Sequence, residues 1–287
     1  WRLANSGAAA RVMPHLLAGD GAFLEGEALP ELNDWFEHIP RGDAVTLTVT
    51  RRQKMPAENQ LVFCPQDIIL GVGCARGAPA EDVCEFVMRE LQRADINAAA
   101  IAAVVTADIK ADEPAIYALA AMLAVPVRVF DRDQLAAETD RLKTPSQTVF
   151  EEIGVYGVAE GAALAAAGAD GMLIHPKAKS DTATMALAKA ESALAHRLPG
   201  RKPGRVMLVG IGPGKPEWRT PEASQMIFGA DELVGYNVYI DLLGAAAAHI
   251  PRRDFKLGEE EARCRYALEA AAKGKDVAVI CSGDAGI

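Results

Sequence analysis

The sequence predicts an α/β protein: two three-layer units with mainly parallel sheets, preceded by a partial α/β segment. Three observations carry that reading. Apolar runs of strand length alternate with amphipathic stretches of helix length. The alternation is interrupted once, by a segment rich in Pro, Gly and basic residues, and then restarts. At 287 residues, half of them hydrophobic and only 6% aromatic, the chain is long enough to bury more than one core.

The elements follow in order. Residues 1–60 are read as a partial segment. They open on a helix-like stretch, "AAARVMPHLLAG", which Pro14 is expected to break, and they contain "AVTLTVT", whose β-branched residues read as a strand. A polar connector, "RRQKMPAENQ", leads into a central domain at 61–197. There "DIILGVG" is a buried strand and "AEDVCEFVMRELQRA" a helix with Val83, Phe86, Val87 and Leu91 on one face. "IAAVVT" is a second strand, "AIYALAAMLA" a second helix and "VPVRVF" a third strand. "GVAEGAALAAAG" is a helix stopped by Gly168, followed by "GMLIHP" and "ATMALAKA". The break falls at "LPGRKPGR", Leu198–Arg205. Beyond it, at 205–287, "RVMLVGIG" is a strand, Thr220-Pro221 caps and opens a helix, "ELVGY" is a strand, and "EEEARCRYALEAAAKG" is a helix ending at Gly274. "DVAVICSG" is the last strand. The chain begins at Trp1 rather than Met and stops at Ile287, and both ends are expected to be cuts in a longer protein.

Composition limits the partners. A formal net charge of −9 argues against nucleic acid, which calls for a basic face. An anionic ligand would have to be held by local cations. The five cysteines (Cys64, Cys74, Cys84, Cys264, Cys281) form no CxxC pair and the histidines no ligand-like spacing. The thiols are therefore read as reduced, the compartment as cytoplasmic, and no metal site is expected. The longest apolar stretch, Ile96–Val105, is about half a membrane span, so no membrane partner is expected.

"GIGPGKPEWRTPEAS", Gly210–Ser224, reads as a ligand loop, and phosphate fails as its ligand. A dinucleotide fingerprint needs glycine where Lys215 stands, and a P-loop needs a hydroxyl where Pro216 stands. Pro216 also delays the helix, so no ring of free N–H groups faces the loop. A phosphate-free ligand packing against bare backbone fits better, although a tight turn with no ligand is the plain alternative. "SGDAGI", Ser282–Ile287, ends another strand and is expected at the same sheet edge, where open α/β sheets bind ligands.

With these motifs in place, "VMLVGIGPGKPEWRTPEAS", "LVGYNVYIDLL" and "FKLGEEEARCRYALEAAAKGKDVAVICSGDAGI" resemble the tetrapyrrole (corrin/porphyrin) methyltransferases, most of all precorrin-3B C(17)-methyltransferase of cobalamin biosynthesis. The resemblance covers Arg205–Ile287 and implies S-adenosylmethionine as cofactor. It implies that Gly210, Gly212, Pro213 and Gly214 form the substrate-side loop of the cofactor cleft. Gly283, Asp284 and Ala285 correspond to the loop that approaches the methyl donor. The family's second half is absent from this sequence, so methyl transfer by this chain alone is expected to be weak or absent.

"GVGCARGAPAEDV", "TADIKADEPAIYALA" and "PSQTVFEEIGVYGVAEGAALAAAGADGMLIHPKAKSDTATMALAKA" are similar to the C-terminal domain of cobalt-precorrin-5A hydrolases, over Asp67–Ala190. The two resemblances together imply a fusion in corrin synthesis. They also imply a tetrapyrrole substrate whose lactone is opened with loss of acetaldehyde. A homodimer through the methyltransferase part is left open.

Three central motifs follow strands: Gly73–Gly77, Asp108–Glu113 and His175–Ser180. Parallel strands would bring them to one edge, with Arg76, Lys110, Lys177 and Lys179 facing the carboxylates of a corrinoid precursor. The alternative for each cation is a solvated loop charge. Lys110, Asp112, Glu113 and Glu152 are the catalytic candidates, with Glu151 as a further acid. The hydrolytic base stays unassigned. Cys74 paired with His175 is a further pairing, against which a small core cysteine is the plainer reading. Two functional readings remain: a lactone hydrolase fused to the methyltransferase, or a non-catalytic tetrapyrrole-binding carrier serving it. An ordinary nucleotide-binding regulator is disfavoured by the failed phosphate fingerprints.

Overall fold

The computed structural model of the protein describes residues 1–27, 37–192 and 198–283, which form two compact units, 1–200 and 201–287. His196, Asp284 and Ala285 lie outside the described residues.

The first unit holds two sheets. Strands β1 (Arg2–Leu3), β2 (Ala22–Gly26), β3 (Val45–Val49) and β4 (Gln60–Cys64) make a sheet of order β1-β4-β3-β2, with only the β1–β4 pairing antiparallel. Since β4 pairs with β3, this sheet reaches Cys64. Helix α1 (Ala9–Ala18) runs through Pro14 instead of breaking there and ends at Gly19, whose φ is 79°. The proline removes one backbone bond, to Ala10, while Val12 is buried completely against β3 and β4. The polar connector is tied down: Arg51 donates through Nε to Asp67 at 2.7 Å, and the Asn97 N–H donates to the Arg51 carbonyl at 2.7 Å.

The second sheet is the frame of the site. It contains β5 (Ile68–Cys74), β6 (Ile101–Ala107), β7 (Val127–Phe130), β8 (Met172–Lys179) and β9 (Ala183–Lys189), in the order β7-β6-β5-β9-β8. Alternate residues of β5 serve opposite faces. Ile68, Leu70 and Val72 pack on α2 (Ala80–Arg93) and α3 (Pro114–Leu123), which contribute Val83, Phe86, Val87, Leu91, Ile116 and Leu119. Ile69 faces Ala162, Ala163 and Ala166 of α6 (Val158–Ala167), an alanine-rich helix lying close on the sheet. Gly71 allows that approach. A Cβ there would overlap the Ala159 carbonyl oxygen and lie 3.0 Å from the Ala163 methyl. Two short helices, α4 (Arg132–Ala136) and α5 (Gln147–Ile153), precede α6.

One sequence expectation needs correcting. The segment from His175 to Lys179 is not a loop after a strand but the end of β8, and β8 and β9 form an antiparallel hairpin. Three residues separate the strands, and a parallel crossover needs a dozen or more.

The second unit has one fully parallel sheet of order β10-β13-β11-β12, built from β10 (Arg205–Gly210), β11 (Glu232–Tyr236), β12 (Arg252–Phe255) and β13 (Asp276–Cys281). Its helices are α7 (Pro221–Phe228), α8 (Asn237–Asp241) and α9 (Glu260–Ala272). The Thr220 hydroxyl accepts the Ala223 N–H, as a cap should, and Gly274 ends α9 with φ 90°. Among the described residues no helix is long and apolar enough to cross a membrane.

Candidate functional site

The carboxyl edge of the central sheet opens into a cavity of about 580 Å³. Gly73 and Cys74 end β5 and Arg76 follows it, and Ile109 and Lys110 follow β6. Lys177, Lys179 and the turn Ser180–Thr182 come from the hairpin, while Val149, Glu152, Ile153 and Val158 form a mostly apolar wall from α5 and the start of α6. Arg76, Lys110, Lys177 and Lys179 therefore do share one edge, by a route other than parallel strands. β8 lies two antiparallel steps from β5, so it points the same way. Cys74 pairs with Ala183, and Lys179 pairs with the adjacent Thr184.

Two buried carboxylates organise these cations. Glu113, in the loop after β6, accepts the Gly77 N–H at 3.1 Å with one oxygen; its other oxygen lies 3.1 Å from Arg76 Nη1 and 3.7 Å from Lys110 Nζ. Glu160, in the first turn of α6, accepts the N–H of Lys143 at 2.8 Å, of Thr144 at 3.0 Å and of Lys177 at 2.8 Å, plus the Thr144 hydroxyl at 2.8 Å. Burial alone would raise its pKa, but donation from Lys177, Thr144 and Lys143 wins and holds it below the usual carboxylate range. Glu160 thereby fixes the backbone of Lys177, whose ammonium donates to the Thr144 carbonyl at 2.9 Å. This residue was missed in the sequence, where its signal was a lone acid inside "GVAEGAALAAAG".

The catalytic candidates separate. Glu152 and Lys110 line the cavity. Glu113 is buried behind it, and Asp112 sits on Arg76 at 2.5 Å. Glu151 is engaged by Gln147 Nε2 at 3.3 Å. The Cys74–His175 pair does not form. His175 pairs in register with Leu187 and thus stands level with Leu70, about 13 Å along the strand from Cys74. His175 Nε2 faces Glu90 of α2 at 3.9 Å. Burial first, and Glu113 second, push the Cys74 thiol up, the wrong direction for a nucleophile. No group of three or more His, Cys, Asp or Glu that could hold a metal occurs among the described residues.

In the second unit, β10 and β13 are neighbours, and the Ile211 N–H donates to the Cys281 carbonyl at 2.9 Å. The Gly210 and Gly283 loops therefore lie side by side. A Cβ on Gly210 would come within 3.2 Å of the Gly283 Cα, a tight contact that one of the two loops would have to shift to accommodate. Gly212, Gly214 and Gly283 have φ of 61°, 102° and 87°, a region that glycine enters most freely. Pro213 stands between two of these glycines. A Cβ on Gly214 would fall 2.9 Å from Leu242 Cδ1, so that glycine makes room for protein, and the open backbone at Gly212 is where a phosphate-free cofactor such as S-adenosylmethionine would fit.

Residues 68–188 match the family "Cobalamin synthesis G C-terminus". Protein CobE of Sinorhizobium sp is 45% identical over 121 residues, 42% of this chain and 79% of that protein. The chain belongs to the cobalamin synthesis G C-terminus family. Cobalt-precorrin-5A hydrolase of Priestia megaterium is 28% identical over 131 residues, 45% of this chain and 34% of that protein. Residues 205–287 match the Tetrapyrrole (Corrin/Porphyrin) Methylases. Precorrin-3B C(17)-methyltransferase of Sinorhizobium sp is 36% identical over 84 residues, 29% of this chain and 33% of that protein. The chain thus spans about a third of the hydrolase and of the methyltransferase that it matches. It is a fusion of cobalamin biosynthesis that joins a hydrolase-like domain of the G C-terminus family to a methyltransferase-like domain.

Proposed function

We propose that the central unit binds a tetrapyrrole precursor bearing acetate and propionate side chains and presents it to a methyltransferase whose N-terminal part is the second unit. One observation carries this reading: four cations from three separate segments line one cavity that also has an apolar wall. Ring carboxylates would meet Arg76, Lys110, Lys177 and Lys179, and the flat body of the ring would lie on Val149, Ile153 and Val158. Lys179 is central to it, because it lines the cavity and its ammonium carries no ion pair among the described residues. In the second unit, Gly210, Gly212, Pro213, Gly214 and Gly283 would hold S-adenosylmethionine against bare backbone, with precorrin-3B carbon 17 as the methyl acceptor. When bound, that cofactor supplies a methyl group on a sulfonium, a good leaving group, so the protein's contribution is mainly to position the two reactants.

Binding is preferred to lactone hydrolysis in the central unit because Asp112 and Glu113 are engaged by cations and Cys74 and His175 stand apart along the sheet. The hydrolase reading rests on Glu152, an acid on the cavity wall within the same ring of lysines. Incubating the full chain with a lactone-bearing precursor separates the two. The expected result is a saturable change in the visible spectrum without acetaldehyde, weakened severalfold in Lys179→Gln. Acetaldehyde release that disappears in Glu152→Gln would establish the hydrolase, and an unchanged spectrum would overturn both readings.

A further inference from the structure

Asp112 and Glu113 are consecutive in sequence and meet the same guanidinium, yet the fold treats them in opposite ways. The Glu113 side chain is 3% exposed, with one oxygen on the Gly77 N–H and the other between Arg76 and Lys110. Removing it would leave the Gly77 N–H without its acceptor and the Arg76 and Lys110 cations without their shared carboxylate. The Asp112 side chain is 73% exposed, and its carboxylate rests on Arg76 Nη1 at 2.5 Å. That contact is open to water, and such pairs are weak. Arg76 lines the cavity, and its other terminal nitrogen donates to the Ile109 carbonyl at 2.7 Å. The guanidinium is therefore fixed from the protein side by Glu113 and Ile109, while Asp112 covers it from the solvent side. Its side chain is itself 60% exposed, so a carboxylate arriving from solvent can reach it.

We infer that Asp112 is a stand-in for a ligand carboxylate: it occupies Arg76 in the free protein and gives way when a ring carboxylate enters the cavity. This rests on the tetrapyrrole reading above and adds a specificity rule to it. Exchanging one carboxylate for another on Arg76 changes little by itself, since the same charge-assisted bonds are broken and remade. A small monocarboxylic acid gains nothing by displacing Asp112. A ring gains, because it also places a second carboxylate near Lys179 and its apolar body on the α5–α6 wall. Asp112 would thus exclude simple acids while costing the large ligand little. The Arg76 guanidinium holds the Asp112 carboxyl below its usual range, so the competitor stays ionised at neutral pH.

The experiment is a titration of the full chain with uroporphyrin, a tetrapyrrole bearing acetate and propionate side chains, followed by fluorescence quenching and repeated with added acetate. Asp112→Asn and Asp112→Ala should bind uroporphyrin about two- to fivefold more tightly, the range expected when one exposed ion-pair competitor is removed. Acetate should compete with uroporphyrin at lower concentration in these variants than in the parent. Glu113→Gln should bind more weakly, with its fold checked by circular dichroism. Unchanged or weaker binding in both Asp112 variants, while the parent binds, overturns this inference alone. Failure of the parent to bind uroporphyrin overturns it together with the tetrapyrrole reading.

Discussion

The chain contains two Gly-x-Gly stretches at the ends of apolar strands, Gly71-Val72-Gly73 and Gly210-Ile211-Gly212, and they serve opposite ends. In the central unit the glycines make room for protein. A Cβ on Gly71 would overlap the Ala159 carbonyl, and one on Gly73 would sit 2.9 Å from the Thr184 hydroxyl. In the second unit the two glycines differ: a Cβ on Gly210 would come within 3.2 Å of the Gly283 Cα, whereas the space beside Gly212 is open, with the nearest neighbour of a Cβ at 3.7 Å. The functional groups divide the same way. The central edge is lined by side chains held in place by buried acids, and the other edge by a glycine-rich turn with open backbone at Gly212. A glycine motif therefore reports close approach without saying whether the approaching group is a helix or a ligand.

The contrast can be broken most sharply at Gly71. Gly71→Ala forces α6 off the sheet, and chemical denaturation of the first unit should show a loss of about 3 kcal/mol, the upper end for overpacking. A loss under about 1 kcal/mol would mean that the glycine is not there for packing. Glu160→Gln should come next, at about 2–3 kcal/mol, because an amide cannot accept all four of the bonds the carboxylate accepts. Its pH dependence follows from the sign of the shift. Because the folded pKa lies below the ordinary value of 4.5, the stabilisation is fully present above that value and is lost as the pH falls through the lowered folded one. Acid titration of stability should therefore be shallower in the variant than in the parent. Gly212→Ala should have the smallest effect, about 1 kcal/mol in the second unit, since only its positive φ opposes a methyl group. A loss as large as that at Gly71 would erase the distinction.

Much of this architecture was legible in the residues. Strands β5, β6, β7, β11 and β13 coincide with apolar runs because most of their residues are buried, β10 carries an apolar run although it is a partly exposed edge strand, and the Thr220 cap and Gly274 stop act through local chemistry. Strand β12, "RRDF", was not legible, because its four residues are mostly exposed and charged and carry no apolar pattern. Nor was the direction of β8, although the three-residue spacing to β9 contained the answer. At the site, the four cations came from motif and charge. The two buried acids that aim them did not separate from surface acids, since burial of a carboxylate is decided by donors from distant segments: Gly77 for Glu113, and Lys143, Thr144 and Lys177 for Glu160.

The insertion of β9 between β5 and β8 has a kinetic consequence. The Thr184 hydroxyl reaches the Gly73 carbonyl across 111 residues of sequence, so the strand that begins the sheet waits for nearly the whole domain to be made before its second neighbour arrives. On the ribosome, the parallel half β5-β6-β7 can assemble early with its helices. Lys177 and Lys179 belong to that hairpin, so the edge that gathers the four cations is complete only once the last two strands of the sheet are in place.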